Sequence, residues 1–113
     1  MGTDDEVAVL VALADPTRRR LLDVLVEVGR ASATALARRL PVSRQAVVKH
    51  LNVLEAAGLV GAVRAGREVV YMARPGPLDA SARWLAELSA AWAESTGRTA
   101  GFPPDPTRRR RPI

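Results

Sequence analysis

Apolar positions recur at helical spacing through most of the first 96 residues, and the interruptions divide the chain into elements. Residues 4 to 14 read as a helix with Val7, Leu10, Val11 and Ala14 on one face. Asp15-Pro16 breaks it: Asp15 suits an N-cap, and Pro16 suits a first helical position, where the missing N–H has no partner to lose. The next helix spans about 16 to 28, with Leu21, Leu22, Leu25 and Val28 as its buried stripe, and Gly29 closes it. A further short helix follows, with Ala33, Leu36, Ala37 and Leu40 buried. Pro41-Val42-Ser43 ends that pattern and starts another. Ser43 is an N-cap, Val47, Leu51 and Leu54 form a stripe at spacings of four and three, and Gly58 supplies the positive φ of a C′ residue.

The period then changes. Val60, Ala62 and Arg64 alternate with their neighbours, Ala65-Gly66 marks a turn, and Val69, Val70, Tyr71 and Met72 are strand formers, so a two-stranded hairpin is expected. Pro75-Gly76-Pro77 is the next break. A helix from about 77 to 95 carries Leu78, Leu85, Leu88 and Trp92 on one stripe, with Ala82 and Ala91 between them and Trp84 beside it. From Gly97 the pattern stops. Pro103, Pro104, Pro106 and Pro112 exclude a regular element, and the run Arg108 to Arg111 is self-repelling. The expectation is a mainly α chain with a small β-hairpin, in the order α-α-α-α-β-β-α. Residues 1–97 form one domain, and 98–113 a disordered basic tail that is either a phosphate-binding arm or a solubilising one.

At 113 residues, such a domain has one core and gains from an oligomeric partner. The last helix has more apolar surface than a domain already served by three helices needs. A homodimer built on the terminal helices is therefore expected, with Val7, Leu10, Val11, Leu85, Leu88 and Trp92 at its interface. The chain has no cysteine and one histidine, which excludes disulfides and thiolate metal sites. No apolar run approaches the roughly 20 residues of a membrane span. The N-terminus is acidic (Asp4, Asp5, Glu6) rather than basic, unlike a signal peptide. These features lead to the expectation of a cytoplasmic protein with no cofactor and no membrane partner.

Charge sharpens the picture. The net charge is +5, and its sign changes along the chain. Residues 34–74 hold six Arg and one Lys against Glu55 and Glu68, and residues 97–113 hold five Arg against Asp105; the two remaining stretches are net acidic. Positive charge therefore coincides with residues 32–60 and the hairpin. There the two helices joined by a tight turn leave Arg44, Gln45, Val48, Lys49 and Asn52 on the face opposite the buried stripe. Donors beside apolar atoms are what a helix needs to read base edges in a major groove, including a thymine methyl. A hairpin directly after such a pair is a wing, and Arg64 and Arg67 flank its glycine tip, which suits close approach to a DNA backbone or minor groove. Arg18, Arg19 and Arg20 lie in the first turns of their helix, an unfavourable end for cations. A solvated face with local pairs such as Arg19–Asp23 is the favoured reading of them. An enzyme is not expected: the lone His50 is on a helix, and there is no Gly-rich phosphate loop.

The runs LADPTRRRLLDVL and PVSRQAVVKHLNVLEAAGLV, followed by the hairpin AGREVVYMA, resemble the ArsR-type winged helix-turn-helix repressors of bacteria over about residues 7 to 95. The resemblance implies a homodimer that binds a palindromic double-stranded operator and represses its own or a neighbouring operon. It places Ser43, Arg44, Gln45, Val48, Lys49 and His50 on the helix that enters the groove, Arg64 and Arg67 in the wing, and Arg18 in the ADPTR start. Metal-sensing members carry cysteines before the turn or Asp/His ligands on the last helix. Here residues 32–40 have none, and 78–95 offer only Asp79, Glu87 and Glu94. With Trp84 and Trp92, the last helix looks like that of the metal-independent members, and a small-molecule effector of unknown identity stays open. Position 48 is Val where a small hydroxyl residue is common in the family, so an apolar contact replaces a hydroxyl there. The other reading is an architectural protein that binds DNA without strong sequence specificity.

Overall fold

A computed structural model describes the backbone of residues 4–98, with side chains from residue 5 to 96. The elements are α1 (Asp4–Ala12), α2 (Pro16–Val28), β1 (Ala31–Ser32), α3 (Ala33–Ala37), α4 (Arg44–Ala56), β2 (Val60–Ala65), β3 (Glu68–Ala73) and α5 (Gly76–Arg98). The expected order holds except for β1, which periodicity could not reveal in two residues. β1 pairs antiparallel with β3, Ala31 opposite Tyr71 and Ser32 opposite Val70. The hairpin is therefore the larger part of a three-stranded sheet in the order β1-β3-β2. Among the described residues no helix is long and apolar enough to cross a membrane. The irregular tail expected from residue 98 falls on residues 99–113, outside the described residues, and α5 itself continues through Arg98.

The caps are local and explain the helix starts. The Asp15 carboxylate accepts from the Arg18 amide at 3.0 Å, the Ser32 hydroxyl from the Ala35 amide at 3.1 Å, and the Ser43 hydroxyl from the Ala46 amide at 3.1 Å. Each satisfies one of the N–H groups that a helix start leaves free, at about 1 kcal/mol per cap. α4 ends with Gly58 at φ +80, and α2 with Gly29, whose amide donates to the Leu25 carbonyl.

The core lies where α2, α3 and α4 meet the sheet. Leu21, Leu25, Leu36, Val47, Leu51 and Leu54 are fully buried, joined by Val9, Leu59, Val60 and Tyr71. Truncating any of these leucines to alanine costs about 2–5 kcal/mol. Two expected features differ, the burial of Val28 and the end of α1. Val28, the last residue of α2, is exposed at the edge of the core, where it lines an open cleft with Ala35 and Leu36 of α3. α1 stops at Ala12, not 14; Val9 and Ala12 are buried, whereas Val7 and Val11, on the face expected to meet a second copy, are exposed. α5 packs against α1, yet Leu78, Leu85 and Trp92 remain exposed, and only Leu88 and Trp84 are partly covered.

Arg18 explains the arginine-bearing start of α2. Its Nε donates to the Ala12 carbonyl at 2.7 Å, and a terminal nitrogen donates to the Val11 carbonyl at 3.3 Å. The guanidinium thus caps the C-terminal end of α1, where a cation is favoured, and this offsets its poor place at the start of α2. Arg19 and Arg20 are exposed.

Candidate nucleic-acid interface

α4 is held from below by Val47, Leu51 and Leu54, none of which has any exposure. A 3.6-residue helix fixed along that stripe must turn Gln45, Lys49 and Asn52 outward, and all three are exposed. Val48 is half-buried and packs against the core with one side. Ser43, Arg44, Gln45, Ala46, Val48 and Lys49 line a shallow groove of about 480 Å³ over the first two turns. Within it a primary amide, a guanidinium and an ammonium stand beside valine methyls, the mixture that base edges require.

The hairpin stands beside this helix. Ala65 pairs with Glu68, leaving Gly66-Arg67 as a two-residue loop. Gly66 has φ +66 and no other loop residue has positive φ, which fits a type II′ turn with glycine first. The strands fix the tip, so Arg64 and Arg67 are carried on a stiff support. A second groove, of about 300 Å³, lies between the hairpin and α4. Arg44 and Val48 line both grooves, while Arg64 and Arg67 line the second. The structure thus brings Ser43, Arg44, Gln45, Val48, Lys49, Arg64 and Arg67 onto one side of the molecule.

His50 lies elsewhere on α4. Its Nδ1 is 3.9 Å from Asp15 Oδ2, and its side chain is 24% exposed. It therefore faces the corner between α1 and α2, where a packing role fits better than contact with a duplex. The Arg18 amide holds the Asp15 carboxyl below its ordinary value. The charges of His50 and Arg18 act in the same direction, and partial desolvation opposes them. Among the described residues no three His, Cys, Asp or Glu side chains gather where they could hold a metal ion.

One residue escaped sequence reasoning. Thr34, on α3, accepts a hydrogen bond from Arg44 Nε at 3.1 Å and lines the second groove. Its only sequence signal is a hydroxyl residue on the outer face of the helix before the turn, ten positions from Arg44. Only the crossing of α3 and α4 makes the two neighbours.

The helix-turn-helix domain family matches residues 13–60, from the corner after α1 to the first residue of β2. The uncharacterized HTH-type transcriptional regulator YuzN of Bacillus subtilis is 42% identical over 77 residues, covering 63% of this chain and 84% of that protein. The transcriptional repressor SdpR of the same organism is 32% identical over 77 residues, 68% of this chain and 84% of its own. Among solved structures, an ArsR-like transcriptional regulator from Rhodococcus sp. RHA1 superposes with a TM-score of 0.75 at 44% identity, covering 83% of this chain and 88% of that one. The matched segment contains the capped α4 and its buried stripe. The chain therefore belongs to the ArsR family of winged helix-turn-helix transcriptional regulators, which are DNA-binding proteins.

Proposed function

We propose that this protein is a homodimeric, sequence-specific repressor that binds an imperfect palindrome and does not respond to transition metals. The observation that carries the reading is the continuous cationic and amide-bearing surface from α4 to the hairpin tip, joined through Arg44 and Val48. A twofold dimer sets two such helices in successive major grooves, about 10 to 10.5 base pairs apart. The exposed apolar side chains of α1 and α5 supply the face for a second copy, since Val11 and Trp92 are 59% and 63% exposed. The likeness to a protein named as a repressor supports the sign of regulation. With no cysteine and one histidine in the chain, a four-ligand N/S site cannot be built within one subunit.

In this reading Gln45 pairs with an adenine edge, a contact worth about 1–3 kcal/mol against the wrong base. The test is titration of a duplex from the gene's own upstream region against a scrambled duplex. Gln45→Ala should weaken the first more than the second; equal losses mean that Gln45 reads no base. In the same titration, stoichiometric zinc, cadmium or nickel should leave the operator bound, and release by any of them would sink the metal-independent reading. Loss of most target binding to random competitor at physiological salt would favour an architectural protein instead.

A further inference from the structure

We infer that the groove between α4 and the hairpin seats a backbone phosphate of the bound duplex, and that Thr34 is the positioning residue that holds Arg44 for it. The inference rests on the reading above only in taking duplex DNA as the ligand. Arg44 differs from its neighbours on α4. Gln45 and Lys49 line the reading groove alone, whereas Arg44 lines both grooves. Its Nε is engaged by Thr34 Oγ1 at 3.1 Å, which holds the guanidinium at the α3 and hairpin side of the reading groove.

A strand passing between a major groove filled by α4 and a minor groove met by the hairpin must run through that place. Its sugar–phosphate backbone is what separates the two grooves. The two terminal nitrogens of Arg44 keep their N–H groups for a phosphate, which a guanidinium can grip with paired bonds. Arg64 and Arg67 form the other wall, and Glu68 is the one carboxylate lining the groove. Three guanidinium groups against one carboxylate leave the seat cationic. The hydrogen bond to Thr34 restrains a side chain that otherwise has many rotamers, so less freedom is lost when the phosphate arrives. Base selection then belongs to Gln45, Val48 and Lys49, and Arg44 sets register and grip.

The experiment compares wild type, Arg44→Ala, Thr34→Val, Thr34→Ser and the Thr34→Val/Arg44→Ala double variant on the operator and on a random duplex at several salt concentrations. Arg44→Ala should weaken both duplexes by a similar factor, roughly tenfold at low salt, and reduce the salt slope by about one. Thr34→Val should weaken both about threefold with an unchanged melting temperature, and Thr34→Ser should restore wild-type binding. The double variant should bind like Arg44→Ala alone, because Thr34 acts only through that arginine. A loss confined to the operator would make Arg44 a base reader and overturn the inference. So would additive losses in the double variant, or a Thr34→Val protein equal to wild type. Failure of the repressor reading is a separate result: wild type would show no preference for the operator, while the phosphate seat would still be read on random DNA.

Discussion

Two faces of this molecule are open to solvent, and exposure means opposite things on them. Along α1 and α5 the open side chains are apolar: Val7, Val11, Leu78, Leu85 and Trp92 are each between 41% and 63% exposed. Along α4 and the hairpin the open side chains include Arg44, Gln45, Lys49, Arg64 and Arg67, with Val53, Val63 and Val69 exposed among them. Water solvates the second set well, so that face is stable while empty and needs a polyanion only to function. Water solvates the first set poorly, at about 25 cal/mol for each Å² left uncovered, so that face gains stability by meeting a partner. Both faces branch from one corner. There Arg18 caps α1, Asp15 caps α2, and His50 approaches Asp15 from α4.

Charge placed on the apolar face should have the largest effect. Leu85→Glu with Trp92→Glu should turn the proposed dimer, of roughly twice the 12.1 kDa chain mass, into a folded monomer by light scattering. Operator affinity should then fall on the order of 10²-fold or more, because the second half-site no longer binds as part of the same particle. A doubly substituted protein that stays dimeric would show that these side chains do not form the interface.

The corner is the next place to press. Arg18→Ala removes the donor to the Ala12 carbonyl and one of the two donors to the Val11 carbonyl, which keeps the Ala14 amide, and should lower unfolding stability by about 1–3 kcal/mol, read from urea midpoints. The ratio of operator to random binding should stay where it was, since Arg18 points at α1 and not at the duplex. A stability change within error would mean that α1 is held by packing alone.

The smallest effect expected is at acid pH. The Asp15 carboxyl is held below its ordinary value in the folded state. Between the two values the unfolded chain therefore binds the extra proton. The stabilisation is present above about pH 4 and is lost as pH falls through the folded value. Asp15→Asn keeps a capping side chain and removes the titration. Its stability should fall less steeply than that of wild type below about pH 4; parallel curves would show that the charge adds nothing to the cap.

Much of this was legible in the sequence, for local reasons. Ser43 followed by a stripe at 47, 51 and 54 can only be a capped helix with Gln45 and Lys49 outside, because 3.6-residue geometry leaves no other place for them. Pro16, Gly58, Gly66 and Pro75 set boundaries through their own φ preferences. The surplus on α5 was visible as a stripe wider than the core requires, and it is indeed left open in the single chain. Less legible was which face of α1 turns inward. Val7, Leu10 and Val11 on one side and Val9 and Ala12 on the other have similar hydrophobicity, and only contact with the rest of the chain chooses between them.

What the sequence determined by itself was therefore every feature whose cause lies within a few residues: the caps, the turns, the buried stripe of α4 and the arginines at the hairpin tip. The tertiary structure decided those whose partners are distant or whose elements are too short to have a period. β1 is a strand only because β3 offers its edge. Arg18 has its role because α1 ends beside it, and His50 leaves the reading face because Asp15 stands behind it. Thr34 meets Arg44 because α3 and α4 cross. A hydrogen bond between residues ten positions apart on different helices has no signature in periodicity or propensity, since both describe a residue's neighbours along the chain and not across it.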